Sequence, residues 1–88
     1  METINIAEYH SCGRDSQGRK FPVYVQLNDG REYYGHVKGG TGGGSSTEQF
    51  FLGVIPEISQ WLQGMSFPKR DNVLIKVAEI KAIRVFKY

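Results

Sequence analysis

The chain has 88 residues, 40% of them hydrophobic and 23% charged, with a formal net charge of +2 and one cysteine. That length fits a single domain with a thin core, and the lone Cys12 excludes an internal disulfide. The net charge is too small to imply nucleic acid by global electrostatics. Scaffolds of this size gain stability from disulfides, a metal or self-association, so self-association is the expected source here. No apolar run is long enough to span a membrane, Met1 to His10 lacks signal-peptide character, and a single thiol suits a reducing compartment. The expected location is the cytoplasm.

Residues 1–20 read as a poorly defined N-terminal segment, and 21–88 as a single β-barrel domain. In the first segment Ile4, Ile6 and Ala7 suit a strand or one helical turn equally, and Ser11 to Lys20 reads as a polar loop. From Phe21 the pattern is clear, because Phe21, Val23, Val25 and Leu27 alternate with Pro22, Tyr24 and Gln26. Asn28-Asp29-Gly30 then signals a hairpin. A two-residue loop would turn Glu32 and His36 toward the core. A three-residue loop pairs Val25 with Tyr33, Val23 with Gly35 and Phe21 with Val37, which keeps the buried face apolar. It also puts Gly30 where a G1 bulge needs a left-handed residue. Gly35 inside the second strand marks a bend or a close backbone approach.

Residues 39–47 are glycine- and serine-rich and are expected to form a flexible loop. Phe50 to Ile55 is a third strand. In the segment opened by Pro56, Ile58, Trp61 and Leu62 fall on one helical face, and Gly64 closes it. Trp61 and Leu62 would then cover an open barrel end. Val73, Ile75 and Val77 mark a fourth strand, Ala78 to Ile80 a tight turn, and Ile83 with Val85 a fifth strand. Arg84, Phe86 and Tyr88 share the opposite face of that last strand, so Phe86 and Tyr88 are candidates for an oligomer interface.

The stretches VYVQLNDGREYYGHVKG (Val23 to Gly39) and VLIKVAEIKAIRV (Val73 to Val85) resemble Sm-like proteins and related SH3-type barrels. The likeness rests on Leu27, Asp29-Gly30 and Gly35 in the first stretch and on Ile80 and Ile83 in the second. It covers about a third of the chain. The resemblance implies a five-stranded barrel with one short helical segment and a ring-like homo-oligomer. The family's RNA signatures, Asp-x-hydrophobic-Asn and Arg-Gly, are replaced here by TEQFFLG and KVAEI. A weaker resemblance is to PilZ domains, which are nucleotide-sensing barrels. Arg14, Arg19 and Lys20 resemble their basic lead-in, while the Asp/Asn-x-Ser-x-x-Gly motif that should follow is missing.

No residue constellation has a catalytic signature, so the chain is expected not to be an enzyme, and no cofactor or metal is expected. Gly39 to Gly44 could cradle a phosphate through backbone amides, but the lysine of a P-loop is absent. His10, Cys12 and His36 could share a metal, yet structural zinc usually takes four ligands. The same trio as a Cys–His nucleophile lacks an orienting group. The candidate nucleic-acid or partner surface consists of the cations Arg14, Arg19, Lys20, Lys69 and Arg70 with the aromatics Tyr24, Tyr34 and Trp61, since bases stack on such rings. The plainer alternative is a solvated basic face. The sequence therefore points to a non-enzymatic module that self-associates, with single-stranded RNA as the best-defined partner. The alternatives are a protein-interaction domain and a small-ligand, nucleotide-sensing barrel.

Overall fold

The computed structural model describes residues 6–10, 13–41 and 48–88. It contains α1 (Ile6–His10), β1 (Val23–Leu27), β2 (Glu32–Thr41), β3 (Gln49–Val54), α2 (Ile58–Leu62), β4 (Asn72–Lys76) and β5 (Ile80–Val85), with a 3₁₀ turn at Val77–Glu79 between the last two strands. The five strands form one antiparallel sheet in the order β4-β3-β2-β1-β5. The fold is mainly β. Among the described residues two helices are present where one was expected, because Ile6–His10 also forms a helical turn. It lies against β2, and Tyr9 packs on the core.

The β1–β2 hairpin has the three-residue loop, with Val23 opposite Gly35 and Val25 opposite Tyr33. The Gly30 amide donates to the Leu27 carbonyl at 3.0 Å and the Leu27 amide to the Arg31 carbonyl at 2.8 Å. Gly30 has φ +94°, the left-handed geometry a G1 bulge requires. The cause is burial, since this register sends Val23, Val25 and Leu27 inward together. They meet Val37, Phe50, Leu52 and Ile75 in the core. Burying a side chain such as Phe50 contributes roughly 1.5–3 kcal/mol.

β4 and β5 lie at opposite edges of the sheet, yet only the 3₁₀ turn at Val77–Glu79 joins them. In a flat sheet these edges would stand roughly 19 Å apart, at four strand spacings, whereas three 3₁₀ residues rise only about 6 Å. The sheet must therefore coil. Among the described residues no ladder joins β4 to β5, so the sheet is curled without being closed into the expected barrel. Gly39 to Thr41, expected in the flexible loop, instead extend β2 and pair with Phe51, Phe50 and Gln49. The rest of that glycine-rich stretch, 42–47, lies outside the described residues, as does Cys12. No helix among the described residues is long and apolar enough to cross a membrane.

Gly35 is the close approach expected of it. A Cβ at this position would lie 2.4 Å from the Gly53 carbonyl oxygen. Its neighbours Tyr34 and His36 face away from the core. One begins an aromatic row and the other a cationic groove.

A candidate anion-binding groove beside an aromatic row

The outer face of β1, β2 and β5 carries a row of rings. Tyr24 lies 5.2 Å from Tyr34, Tyr34 5.1 Å from Phe86, and Phe86 6.0 Å from Tyr88. Tyr88 in turn meets Phe21 at 5.4 Å and Trp61 at 5.7 Å. Alternation along β1 and β2 supplies the first two rings, and β5 leads into the next pair. α2 contributes Trp61, whose helix is stopped by Gly64 at φ +102°. Phe86 and Tyr88, expected at an oligomer interface, thus pack within their own chain. Phe86 is half-buried, while Tyr88 remains 47% exposed.

Three of the residues selected for a nucleic-acid surface are consumed by this row. Trp61 is 3% exposed and Tyr24 is 9% exposed, so neither offers an open ring face. Arg19 covers Trp61, its guanidinium carbon 4.3 Å from the ring centroid, and its Nη1 donates to the Trp61 carbonyl at 2.5 Å. Arg19 Nε lies buried 3.4 Å from Asp15 Oδ2, within ion-pair range but off the line of a hydrogen bond. Asp15 also accepts the backbone amides of Gln17 and Arg19 and the Tyr88 hydroxyl. The Tyr88 hydrogen bond does most to hold the Asp15 carboxyl below its ordinary range. Burial, followed by that same bond, pushes the Tyr88 phenol up to about 12. Arg19 is therefore a neutralised structural cation.

On the other side of Trp61 stands His36, with ring centroids 5.8 Å apart. Its Nδ1 is 2.5 Å from Arg70 Nη1 and its Nε2 is 2.9 Å from the Lys20 carbonyl oxygen. A guanidinium can only donate, so Nδ1 accepts and Nε2 carries the proton that goes to Lys20. His36 is therefore neutral in this arrangement. Burial, with the charges of Arg70, Lys20 and Lys38, also depresses its pKa, outweighing the Lys20 carbonyl that favours the proton. Arg70 is held a second time by Nε donating to the Phe67 carbonyl at 3.1 Å. Both partners are uncharged, so the guanidinium charge is not compensated there.

Two adjoining cavities flank Arg70. One, of about 360 Å³, is lined by His10, Lys20, His36, Val37, Lys38 and Arg70. The other, of about 340 Å³, is lined by Lys38, Phe67, Pro68, Arg70 and Asn72. Among the described residues, neither lining includes a carboxylate. By contrast, a cavity of about 250 Å³ at the hairpin contains Arg31 already paired with Asp29 at 2.7 Å, together with Glu79. Lys38 sits at the register shift between Val37 and Gly39, a bulge of the kind that re-aims a side chain. Its stem crosses Gly53, where a Cβ would stand 2.7 Å from Lys38 Cε.

Of the sequence-selected cations, only Lys20 and Arg70 line this groove. Lys69 is exposed and lines neither cavity, and the exposed Arg14 donates to the Gly18 carbonyl at 2.9 Å. Tyr34 is half-buried within the ring row. Lys38, Phe67 and Asn72 were missed. The hairpin register already placed His36 and Lys38 on one outward face, but nothing periodic in Gly64 to Asp71 pointed to Phe67. Among the described residues, no group of three His, Cys, Asp or Glu side chains is placed to hold a metal ion. No family model matches the chain, and comparison with curated proteins and with solved structures finds no match.

Proposed function

We propose that this chain is a non-enzymatic, cytoplasmic binding module built as a small barrel of the Sm-like, SH3-type kind. It self-associates and binds single-stranded RNA through the cationic groove. The observation that carries this reading is the convergence of Lys20, Lys38 and Arg70 on cavities whose linings, among the described residues, contain no carboxylate. A phosphate backbone would supply the missing negative charge. The strand order and the short 3₁₀ link between the sheet edges support the barrel architecture. A ring of copies would repeat the groove, and multivalency would strengthen individually weak contacts.

Light scattering coupled to size exclusion, with fluorescence anisotropy of a labelled single-stranded RNA at two salt concentrations, tests the proposal. A discrete oligomer whose RNA affinity falls steeply with salt supports it, because released counterions set that slope. A monomer without RNA affinity removes it. A second reading, docking of a protein partner, has its own support in the cross-strand pair Phe51 and Leu74, exposed by 44% and 43% on the outside of β3 and β4. An oligomer without RNA affinity would favour that reading.

A further inference from the structure

We propose that the two cavities flanking Arg70 form one bipartite site for a nucleotide bearing a terminal phosphomonoester, with the phosphate between Lys20, Lys38 and Arg70 and the base against Phe67 and Asn72. This deepens the nucleic-acid reading of the same groove and rests on it only for the location of the site. Each cavity falls at the small end of the range of roughly 300–1,000 Å³ found for ligand sites. They share Lys38 and Arg70 as a common wall, so one ligand can occupy both.

The two ends differ in chemistry. The first is lined by Lys20, Lys38 and Arg70 together with His10 and the neutral His36. Lys20 Nζ lies 3.4 Å from His10 Nδ1, an ammonium donating to a ring nitrogen, so that contact does not neutralise Lys20 either. A phosphomonoester carries about −1.5 to −2 charge near neutrality and three acceptor oxygens, which suits several converging cations better than the single charge of a diester. Arg70 is the residue best prepared for it. Phe67 and His36 hold Nε and Nη1 of the guanidinium, leaving both Nη2 hydrogens and one on Nη1 to donate, and a planar guanidinium matches phosphate oxygens in pairs.

The second end offers an aromatic ring, a proline and an amide. Phe67 is half-buried, so part of its surface remains accessible. The Asn72 amide carries both donor and acceptor, as the edge of a base requires. Inorganic phosphate would use only the first end and a nucleoside only the second.

Isothermal titration of the full chain at low salt with adenosine 5′-monophosphate, adenosine and inorganic phosphate separates these cases. The monophosphate should bind about tenfold or more tighter than either fragment, as expected when base stacking is added to the phosphate contacts. Arg70→Gln should abolish saturable binding of the monophosphate. Phe67→Ala should reduce it to the affinity of inorganic phosphate. Arg70→Lys and Phe67→Leu serve if the first variants fail to fold, each removing the fork or the ring while keeping charge or bulk. Lys81→Gln, on β5 away from both cavities, should change nothing. Equal affinity for the monophosphate and inorganic phosphate, equal affinity for the monophosphate and adenosine, or no saturable binding would overturn the proposal.

Anisotropy with 5′-phosphorylated and 5′-hydroxyl forms of one RNA separates this inference from the broader reading. Equal affinity for both forms keeps the RNA reading and overturns the terminal-phosphate site. Binding of the free monophosphate with neither RNA bound keeps the site and removes RNA as the partner.

Discussion

Arg19 and Arg70 stand on either side of Trp61 and His36, and they have opposite electrostatic fates. Arg19 is folded into the protein, set against the Asp15 carboxylate and the Trp61 ring. Arg70 is gripped as firmly, but among the described residues only by the Phe67 carbonyl and a neutral imidazole. A cation beside a carboxylate has its field cancelled locally, whereas a cation held by neutral acceptors keeps its field while losing its mobility. The first arrangement stabilises the fold and the second prepares a site. A basic residue's availability is thus decided by the charge of its partners rather than by its own.

The comparison is broken most severely by removing what both sides lean on. Trp61→Ala should cost about 3–5 kcal/mol, the range for deleting a buried Trp, and release Arg19 as well. Urea denaturation would show it. A loss of less than about 1 kcal/mol would mean that the wedge does not stabilise the fold. Gly35→Ala comes next. Its Cβ would press on Gly53 backbone, which cannot rotate away like a side chain, and overpacking of this kind costs about 1–3 kcal/mol. Thermal melts should fall accordingly, and an unchanged melting temperature would contradict the close approach.

The two arginines can then be separated directly. Arg19→Gln should lower stability by about 1–2 kcal/mol through the lost cation–π and charged hydrogen bonds, while leaving nucleotide and phosphate affinity intact. Arg70→Gln removes two charged hydrogen bonds as well, so it should lower stability by a comparable amount, but it alone should abolish anion affinity. If both variants lose stability and affinity alike, the distinction between structural and available cation fails.

The smallest effect is set by pH. Burial holds the folded-state pKa of His36 below the ordinary histidine value of about 6.5, so the unfolded chain takes up that proton more readily. The contribution of neutral His36 to stability is therefore complete above pH 6.5. It declines as the pH drops below 6.5 toward the depressed value. Charging His36 also costs Arg70 its acceptor. Denaturation midpoints should fall across that interval in the natural chain, and His36→Gln should flatten that part of the profile. An unaltered slope in the variant would assign the acid sensitivity elsewhere.

Much of the sheet was legible because its determinants are local or periodic. Alternation of Val23, Val25 and Leu27 against Tyr24 and Gln26 defined β1, and the facing of Glu32 and His36 selected the hairpin loop. Gly35 marked the close approach, and Pro56 with Gly64 bracketed α2. The end of β2 was less legible. Gly39 to Thr41 have the composition of a linker but pair with β3, because a paired backbone needs no side chains to form its ladder. Helix α1 was ambiguous because five residues are too few for a helical period to separate from alternation.

By itself, then, the sequence determined a small, mainly β domain, its hairpin register and its inward-facing residues, since these follow from alternation, turn chemistry and burial along neighbouring positions. It also named Lys20 and Arg70 among its cations. Only the tertiary structure decided that Arg19 belongs to Asp15 and Trp61, that His36 carries its proton on Nε2, and that Lys38, Phe67 and Asn72 complete the groove around Arg70. Charge compensation and ring burial depend on partners brought together from distant parts of the chain, as His36 and Arg70 are from β2 and the approach to β4. No local pattern records which cation will be left without a carboxylate.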